Sequence, residues 1–173
     1  MSVASPARLV GFRVAGVRAA LPFEVVRQIA ERPPLVRIPG CHPFVAGVAL
    51  HEGVAIPVYD LRRLEGLWAD EPPPLLSGHG EATQIIVCDW GDTLLGILGD
   101  GVDVLSDADG ATHDRDGAPR PSVLNGAYLQ GLLPPDGEPL ALLDPDRLFA
   151  SLGIPASGSH GRRVTGEDDP ARG

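Results

Sequence analysis

Residues 44–64 read FVAGVALHEGVAIPVYDLRRL, and residues 128–148 read YLQGLLPPDGEPLALLDPDRL. The two segments align over 21 positions without a gap at a constant offset of 84, the separation between Asp60 and Asp144. Glycine, aspartate and arginine coincide at this offset, and so do the apolar positions around them. The matched pairs are Phe44 with Tyr128, Val45 with Leu129, Gly47 with Gly131, Val48 with Leu132, Gly53 with Gly137, Ile56 with Leu140, Val58 with Leu142, Asp60 with Asp144, Arg63 with Arg147 and Leu64 with Leu148.

Each copy predicts a strand, a turn containing glycine, a second strand and a short helical turn. Asp60 and Asp144 stand where a side-chain oxygen accepts hydrogen bonds from the free N–H groups of a helix start, and Pro145 suits a first helical position. Capping therefore accounts for both carboxylates without a catalytic role. Two copies of a short-stranded unit predict a mainly β fold of two small SH3-like, five-stranded barrels packed together, because one such barrel has only a thin core.

Two further hairpins are predicted outside the repeat. Residues 8–21 place two strands around a turn at Ala15-Gly16, and residues 84–99 place two around Gly91-Asp92. Both pairs of turn residues suit two-residue hairpin loops. A further short strand is expected from Val102 to Leu105.

The segment PFEVVRQIAERPP, which begins at Pro22, predicts a short helix. Val25, Val26 and Ile29 would share one face of it, and Pro33-Pro34 would end it. The segment 35–43 is expected to be extended, and residues 69–83 and 106–126 are expected to form surface loops. We predict one domain over residues 1–152, made of two sub-barrels, and a disordered tail over residues 153–173.

Composition points to a globular protein that works beside other proteins. The formal net charge is −9, which argues against nucleic-acid binding because that needs a basic face. No signal peptide and no apolar run of the roughly 20 residues needed to span a bilayer is visible, so a cytoplasmic location is expected. Cys41 and Cys88 form no disulfide framework and are expected to be two reduced core thiols.

No residue pattern indicates a metal site, a cofactor or a catalytic centre. The five histidines (42, 51, 79, 113 and 160) form no i,i+3 or i,i+4 pair. Neighbouring side chains on extended backbone point opposite ways, so Cys41 and His42 make a poor catalytic dyad. The acidic segment 107–117 lacks the spacing of a calcium-binding loop. A small β-barrel enzyme or ligand-binding protein stays open as an alternative.

The repeat and the hairpins together resemble the CheW family, the coupling proteins of bacterial chemosensory arrays. Four stretches carry the resemblance: FRVAGVRAALPFEVVRQI, LVRIPGCHPFVAGVALHEGVAIPVYDLRRLEGL, IIVCDWGDTLLGILGDGVDVLS and YLQGLLPPDGEPLALLDPDRLF. The same kind of domain forms the regulatory domain of the CheA histidine kinase. The resemblance implies two SH3-like barrels without enzymatic activity, and an adaptor that joins a CheA-like kinase to the cytoplasmic tip of a methyl-accepting chemoreceptor in a two-component system.

One position departs from the family pattern. Many members read Asn-Leu-Arg-Gly where this sequence has Leu50-His51-Glu52-Gly53, so Glu52 replaces an arginine associated with receptor coupling. An acidic residue on the first helix pairs with that arginine in well-known members, and the matching position here is Gln28. We expect Arg27 or Arg32 to offer Glu52 a new partner. The resemblance, with this departure, also leaves open a divergent scaffold in a pathway that does not control motility.

The family places partners in a groove between the barrels and at a barrel end. A groove that holds an amphipathic helix needs an apolar floor and a few charges on its rim. The partner-binding residues predicted on this basis are Val26, Gln28, Val48, Glu52, Val54 and Val102. Each valine could equally be an ordinary core or strand residue, and Glu52 could simply be an exposed turn residue.

Overall fold

Nine strands and one short helix make up the computed structural model, which describes residues 8–69, 82–105, 124–133 and 139–154. The strands are β1 (Leu9–Val14), β2 (Val17–Pro22), β3 (Val26–Glu31), β4 (Val45–His51), β5 (Val54–Tyr59), β6 (Gln84–Trp90), β7 (Thr93–Leu105), β8 (Leu129–Leu133) and β9 (Leu140–Leu143). Helix α1 spans Pro145–Ser151, and three single 3-10 turns span Phe23–Val25, Leu61–Arg63 and Gly126–Tyr128. The mainly β fold class is confirmed.

The strands form two groups of five that share β7. Sheet I has the order β7-β1-β2-β9-β8, and sheet II has the order β3-β6-β7-β5-β4. The first half of β7 pairs with β6 and β5, and its second half pairs with β1. The five-stranded composition matches the prediction of two barrel-like units, although the path of paired strands does not close into a ring among the described residues.

The repeat seen in the sequence is a repeat of hydrogen-bond register. In β4–β5, Val45 faces Tyr59 and, after a bulge, Gly47 faces Val58. In β8–β9, Leu129 faces Leu143 and, after a bulge, Gly131 faces Leu142. The backbone N–H of Asp60 donates to Phe44, and that of Asp144 donates to Tyr128, both at 2.8 Å. Pairing and bulge are therefore conserved between the copies at the offset of 84.

The two sheets exchange strands. The hairpin β1–β2 lies in sheet I, but the chain after it continues into β3, which pairs with β6 of sheet II. The hairpin of β6 and the first half of β7 lies in sheet II, and the second half of β7 pairs with β1 of sheet I. Each sheet therefore contains a strand that continues from a hairpin of the other sheet. The two sheets thus form one interlocked body rather than two separate units.

Three apolar clusters fill the structure. The largest takes alternate residues from the inner strands of both sheets together with Trp68, Leu148 and Phe149. A second cluster around Ile56, Val58, Ile85 and Val87 lies on the opposite face of sheet II's strands, and a small third one around Leu9, Ala20 and Leu142 belongs to sheet I. The shared large cluster explains why neither small sheet needs a thick core of its own.

Two secondary-structure predictions are wrong. The segment from Pro22 forms only one 3-10 turn and then β3, because its β-branched residues pair with β6 instead of forming a helical face. The expected separate strand Val102–Leu105 is the second half of β7, which continues through Gly101 at φ 55°. The turns predicted at Ala15-Gly16 and Gly91-Asp92 are present, and so is the glycine turn of the first copy, at Glu52-Gly53. Most of the expected loops 69–83 and 106–126, with the acidic segment, lies outside the described residues. So does the predicted disordered tail 153–173 apart from its first two residues, of which Ile154 is buried in the large cluster.

Candidate partner-binding surface

The hairpin β4–β5 presents three of the predicted partner-binding residues. Its turn is Glu52-Gly53, both with positive φ (49° and 81°), as a two-residue turn that follows the twist of the strands requires. Glu52 is exposed, and Val54 next to it is 52% exposed although it is apolar. Val48 is half-buried on β4, where its backbone exchanges two hydrogen bonds with Val36 (2.8 and 2.9 Å).

The charge of Glu52 is not matched by the arginines expected to pair with it. Arg27 lies 3.6 Å from Asp89 instead. Arg32 lies at the opposite end of β3, where its backbone N–H donates to the Thr83 carbonyl at 2.9 Å. Among residues 8–69, 82–105, 124–133 and 139–154, no cation forms an ion pair with Glu52.

Gln28 lies on strand β3 and not on the first helix, where the family resemblance suggested it. It is exposed, and its backbone faces Val87 across the β3–β6 ladder after a bulge. A neutral amide at this position cannot supply a charge to the β4–β5 turn. Gln28 and Glu52 therefore supply an amide and an acid at the positions where the family pattern has an acid and an arginine.

Val26 and Val102 occupy equivalent places in the strand exchange. Val26 starts β3 just after the chain leaves sheet I, and Val102 lies in β7 just after the chain leaves the sheet II pairing. Both are half-buried and pack against the large shared cluster. They form a pair of crossing-point residues that is separate from Val48, Glu52 and Val54, since β4 pairs only with β5 and, through one bridge, with Val36 in the described chain.

An exposed apolar surface near the hairpin was not anticipated from the sequence. Val36 is 69% exposed, Ile38 48% and Leu50 70%. Val36 faces Val48 across the bridge, and alternation along extended backbone places Ile38 and Leu50 on the same side as these two. We call Val36, Ile38, Val48 and Leu50 the apolar stripe. The signal available in the sequence was the apolar character of both faces of β4.

Both aspartates of the repeat cap helical turns, in different environments. Asp60 is 4% exposed, accepts from the Arg62 backbone N–H at 3.1 Å, and holds the Arg62 guanidinium through contacts of 2.8 and 2.7 Å. Asp144 accepts from the backbone N–H groups of Asp146 (3.0 Å) and Arg147 (3.4 Å) at the start of α1. Only Asp60 combines capping with a close, shielded ion pair.

No described group suggests catalysis. No cluster of three or more histidine, cysteine, aspartate or glutamate side chains occurs within the described ranges. The His42 ring stacks on Phe44 with centroids 5.0 Å apart. Burial, and secondarily the nearby Cys41, raise the pKa of Tyr59. No helix within the part of the chain that the structure describes is both long and apolar enough to cross a bilayer.

The expectation that both cysteines are core thiols is half wrong. Cys88 is buried in β6, but Cys41 is exposed, because the extended segment that carries it runs along the surface. Burial raises the pKa of the Cys88 thiol to about 12. Its neutral form is thus favoured by folding. The stability that depends on a neutral Cys88 is fully present below the unfolded thiol's pKa of about 8.5. The free energy of unfolding then falls as the pH rises from there towards 12.

We expect the two thiols to react at very different rates at pH 8. Cys41 should react with Ellman's reagent within minutes, whereas Cys88 should stay unmodified until the protein is unfolded, because the thiolate is the reactive species. The absorbance of the released reagent anion should correspond to one equivalent per chain in the native protein and to two equivalents in denaturant. Cys41→Ser should abolish the fast phase, and two fast equivalents from the native protein would contradict the assignment.

Comparison with known proteins identifies the family. The CheW-like domain model matches residues 8–153. The chain is 27% identical over 147 residues to the chemotaxis protein CheW of Rhizobium meliloti (strain 1021), covering 83% of this chain and 87% of that protein. It is similar in structure to the scaffolding protein TtCheW from Thermoanaerobacter tengcongensis, with a TM-score of 0.66 and 19% identity over 84% of this chain and 89% of that one.

Proposed function

Because this chain belongs to the family of CheW-like domains, we propose that it is a non-catalytic adaptor in chemotaxis signalling. It would bind a CheA-type kinase regulatory domain with one surface and the cytoplasmic tip of a chemoreceptor with another, in the cytoplasm. The observation that carries the proposal is the family match over residues 8–153, which spans both interlocked sheets. The R. meliloti relative, named a chemotaxis protein, supports the same pathway.

The mechanism we propose is simultaneous binding. An adaptor changes a kinase's activity only through contacts that differ between kinase conformations, and it needs no acid, base or nucleophile to do so. The interlocked sheets suit this role, because β7 runs through both of them and holds their outer surfaces in a fixed relation. Residues 1–152, together with Ile154, whose side chain is buried in the large shared cluster, would act as one domain.

We assign the partner contacts to two places. The crossing-point residues Val26 and Val102 would contribute an apolar floor, since each is half-buried against the shared core. Val48, Glu52 and Val54 would contribute a second contact around the β4–β5 turn, and Gln28 would contribute separately from β3 at the other end of the sheet II order. Buried apolar anchors supply most of the affinity in such contacts, and rim charges mainly select the partner.

Binding to purified partners tests the adaptor proposal directly. Isothermal titration calorimetry with a CheA-type regulatory domain and, separately, with a receptor-tip fragment should give two independent binding events. Val102→Asp should weaken one of them by tenfold or more, whereas Val104→Asp, an exposed change two residues away, should leave both unaltered. Absence of binding to both partners would overturn the adaptor function.

A divergent partner is the second candidate, favoured by the acidic β4–β5 turn. Glu52→Arg should raise the affinity for a standard receptor-tip fragment about tenfold, because it restores the sign of charge found in the family pattern. Both side chains have similar access to the left-handed turn conformation, so the change should not disturb folding.

Glu24→Arg is the matched control for that measurement. Glu24 is exposed in the 3-10 turn before β3, so its reversal changes the net charge equally at another place. An equal gain in both variants would show a general charge effect. Wild-type affinity as high as that of a coupling protein with the usual arginine would contradict a role for Glu52 in choosing the partner.

A further inference from the structure

The single asparagine of this chain, Asn125, is followed directly by glycine. Such a pair can modify itself, because the backbone nitrogen of the glycine can attack the side-chain carbonyl carbon of the asparagine, and glycine has no Cβ atom to hinder the approach. The product is a five-membered cyclic imide, which water opens to aspartate or isoaspartate. Residues 125 and 126 therefore carry a chemistry that the proposed adaptor function does not use.

The reaction balances with water alone. A bond forms between the Gly126 nitrogen and Asn125 Cγ, the bond from Cγ to Nδ2 breaks, and the proton of the Gly126 N–H leaves with the amide nitrogen as ammonia. Water then cleaves one of the two C–N bonds of the imide ring. Cleavage at Cγ leaves aspartate. Cleavage at the backbone carbonyl carbon leaves isoaspartate, in which the chain continues through Cγ.

The native fold holds Asn125 in a geometry that prevents this attack. Its Nδ2 donates to the Gly66 carbonyl at 3.0 Å, and its Oδ1 accepts from the Ala127 backbone N–H at 3.0 Å, so both ends of the amide are fixed. Ring closure also requires Asn125 Cβ and the Gly126 nitrogen to be nearly eclipsed about the Cα–C bond, which for an L residue means a negative ψ. The observed ψ is 121°. Asn125 must therefore leave both contacts before it can react.

The contacts of Asn125 connect the two sheets. Residues 66–68 follow the first copy of the repeat in sheet II, and residues 124–125 precede β8 of sheet I. The Asn125 backbone N–H donates to the Leu67 carbonyl at 2.7 Å, and Trp68 and Leu124 form an isolated bridge. We call the contact of residues 66–68 with residues 124–125 the junction. Release of Asn125 breaks no hydrogen bond between strands, so the junction can open at this point without unfolding of either sheet.

The product of the reaction cannot restore the junction. Aspartate keeps one oxygen for the Ala127 N–H, but its second oxygen replaces the Nδ2 donor and faces the Gly66 carbonyl. A hydrogen bond thereby becomes a repulsion between two acceptors. Isoaspartate inserts one more carbon into the backbone ahead of Gly126, so the following 3-10 turn loses its register with Gly66 and Leu67.

We propose that Asn125-Gly126 is a self-modification site that the native fold keeps closed and that, once it has reacted, holds the junction open. Release of Asn125 comes first, the reaction follows, and the product prevents reclosure. The modified fraction thus records how often the junction has opened. The proposal does not depend on the adaptor function, because it concerns the isolated chain.

Mass spectrometry of the peptide that contains Asn125 tests the closed state. The protein is incubated at about pH 8 and about 37 °C, natively and in guanidinium chloride, and the gain of about 1 Da is followed over days. The native rate should be at least tenfold lower than the rate in denaturant, because only the open fraction reacts. Equal rates in the two states, or no reaction at residue 125 in denaturant, would overturn the proposal.

Gly126→Ala is the chemical control for that measurement. The φ of Gly126 is not positive, so alanine fits the backbone of the 3-10 turn. The added Cβ should slow the reaction in denaturant about tenfold or more while the folded protein unfolds at the same urea concentration as wild type. An unchanged rate in this variant would show that the Gly126 nitrogen is not the attacking group.

Asn125→Asp tests the consequence of the reaction. It should lower the folding equilibrium constant about fivefold or more in urea unfolding, and the amide of residue 125 should exchange its hydrogen faster than in wild type. Gln130→Glu adds the same charge at an exposed position of β8 outside the junction, and it should change the constant less than about twofold. Equal losses in the two variants, or unchanged exchange at residue 125, would contradict an opened junction.

Discussion

Gly47→Ala is expected to lower the free energy of unfolding by about 2–4 kcal/mol. Gly47 has φ 153°, a backbone conformation that side-chain-bearing residues rarely adopt. A Cβ atom built there would lie 2.7 Å from the Val36 carbonyl oxygen. That oxygen accepts a hydrogen bond from the Val48 backbone N–H in the bridge between the two segments of the apolar stripe. A movement that relieved the clash would therefore break this hydrogen bond. Urea unfolding followed by tryptophan fluorescence measures the loss.

Gly131→Ala is the matched control within the same chain. Gly131 occupies the same position in the second copy, one bulge from the start of β8. Its φ is not positive, and no atom of the described residues lies within 4 Å of an added Cβ. We expect a change of less than about 1 kcal/mol. Equal losses at the two sites would show that the bulge itself, rather than the approach of Val36, requires glycine.

The sequence predicted the hairpins of this fold because they are local. Turn residues such as Ala15-Gly16 and Glu52-Gly53, flanked by apolar runs, determine a two-residue hairpin without help from distant segments. The repeat also predicted the pairing of β4 with β5 and of β8 with β9, whereas the bulge at Gly47 and Gly131 is seen only in the structure. Register follows from the apolar pattern, and the apolar pattern was duplicated.

The strand exchange could not be predicted, since it depends on pairing between distant residues. Val25, Val26 and Ile29 suit one face of a helix as well as they suit a strand. This segment forms a strand because it pairs with β6, with Val26 opposite Cys88 and Ile29 opposite Ile86. Nothing near residue 26 indicates that β6 lies beside it, so tertiary pairing overrode the local helical pattern.

The candidate surface was predicted residue by residue but not as a surface. Glu52 stood out because it reverses a charge of the family pattern, and that reading needed no structure. Leu50 did not stand out in the sequence, because apolar residues on both faces of β4 are equally typical of a strand that is covered on both sides. Only the structure shows that one face of β4 carries a 70% exposed leucine.

Asp60→Ala is expected to cost about 2–4 kcal/mol of unfolding free energy, several times the cost of Asp144→Ala. Loss of a helix N-cap accounts for about 1 kcal/mol at either site. At Asp60 the change also removes the two short contacts to the Arg62 guanidinium, which is only 22% exposed. Removing one partner of a shielded pair is expensive, because the remaining charge has lost part of its contact with water.

Asp144 provides the comparison that separates capping from ion pairing. Its nearest cation, Arg147, is 3.7 Å away and 61% exposed, and such pairs contribute little. Urea unfolding of Asp60→Ala, Asp144→Ala and the double variant gives both costs, and the two changes should add because the sites share no partner. Asp60→Ala/Arg62→Ala should recover part of the loss at Asp60, since it removes the charge left behind. If the two aspartates cost the same, capping alone explains them and the Arg62 pair contributes nothing measurable.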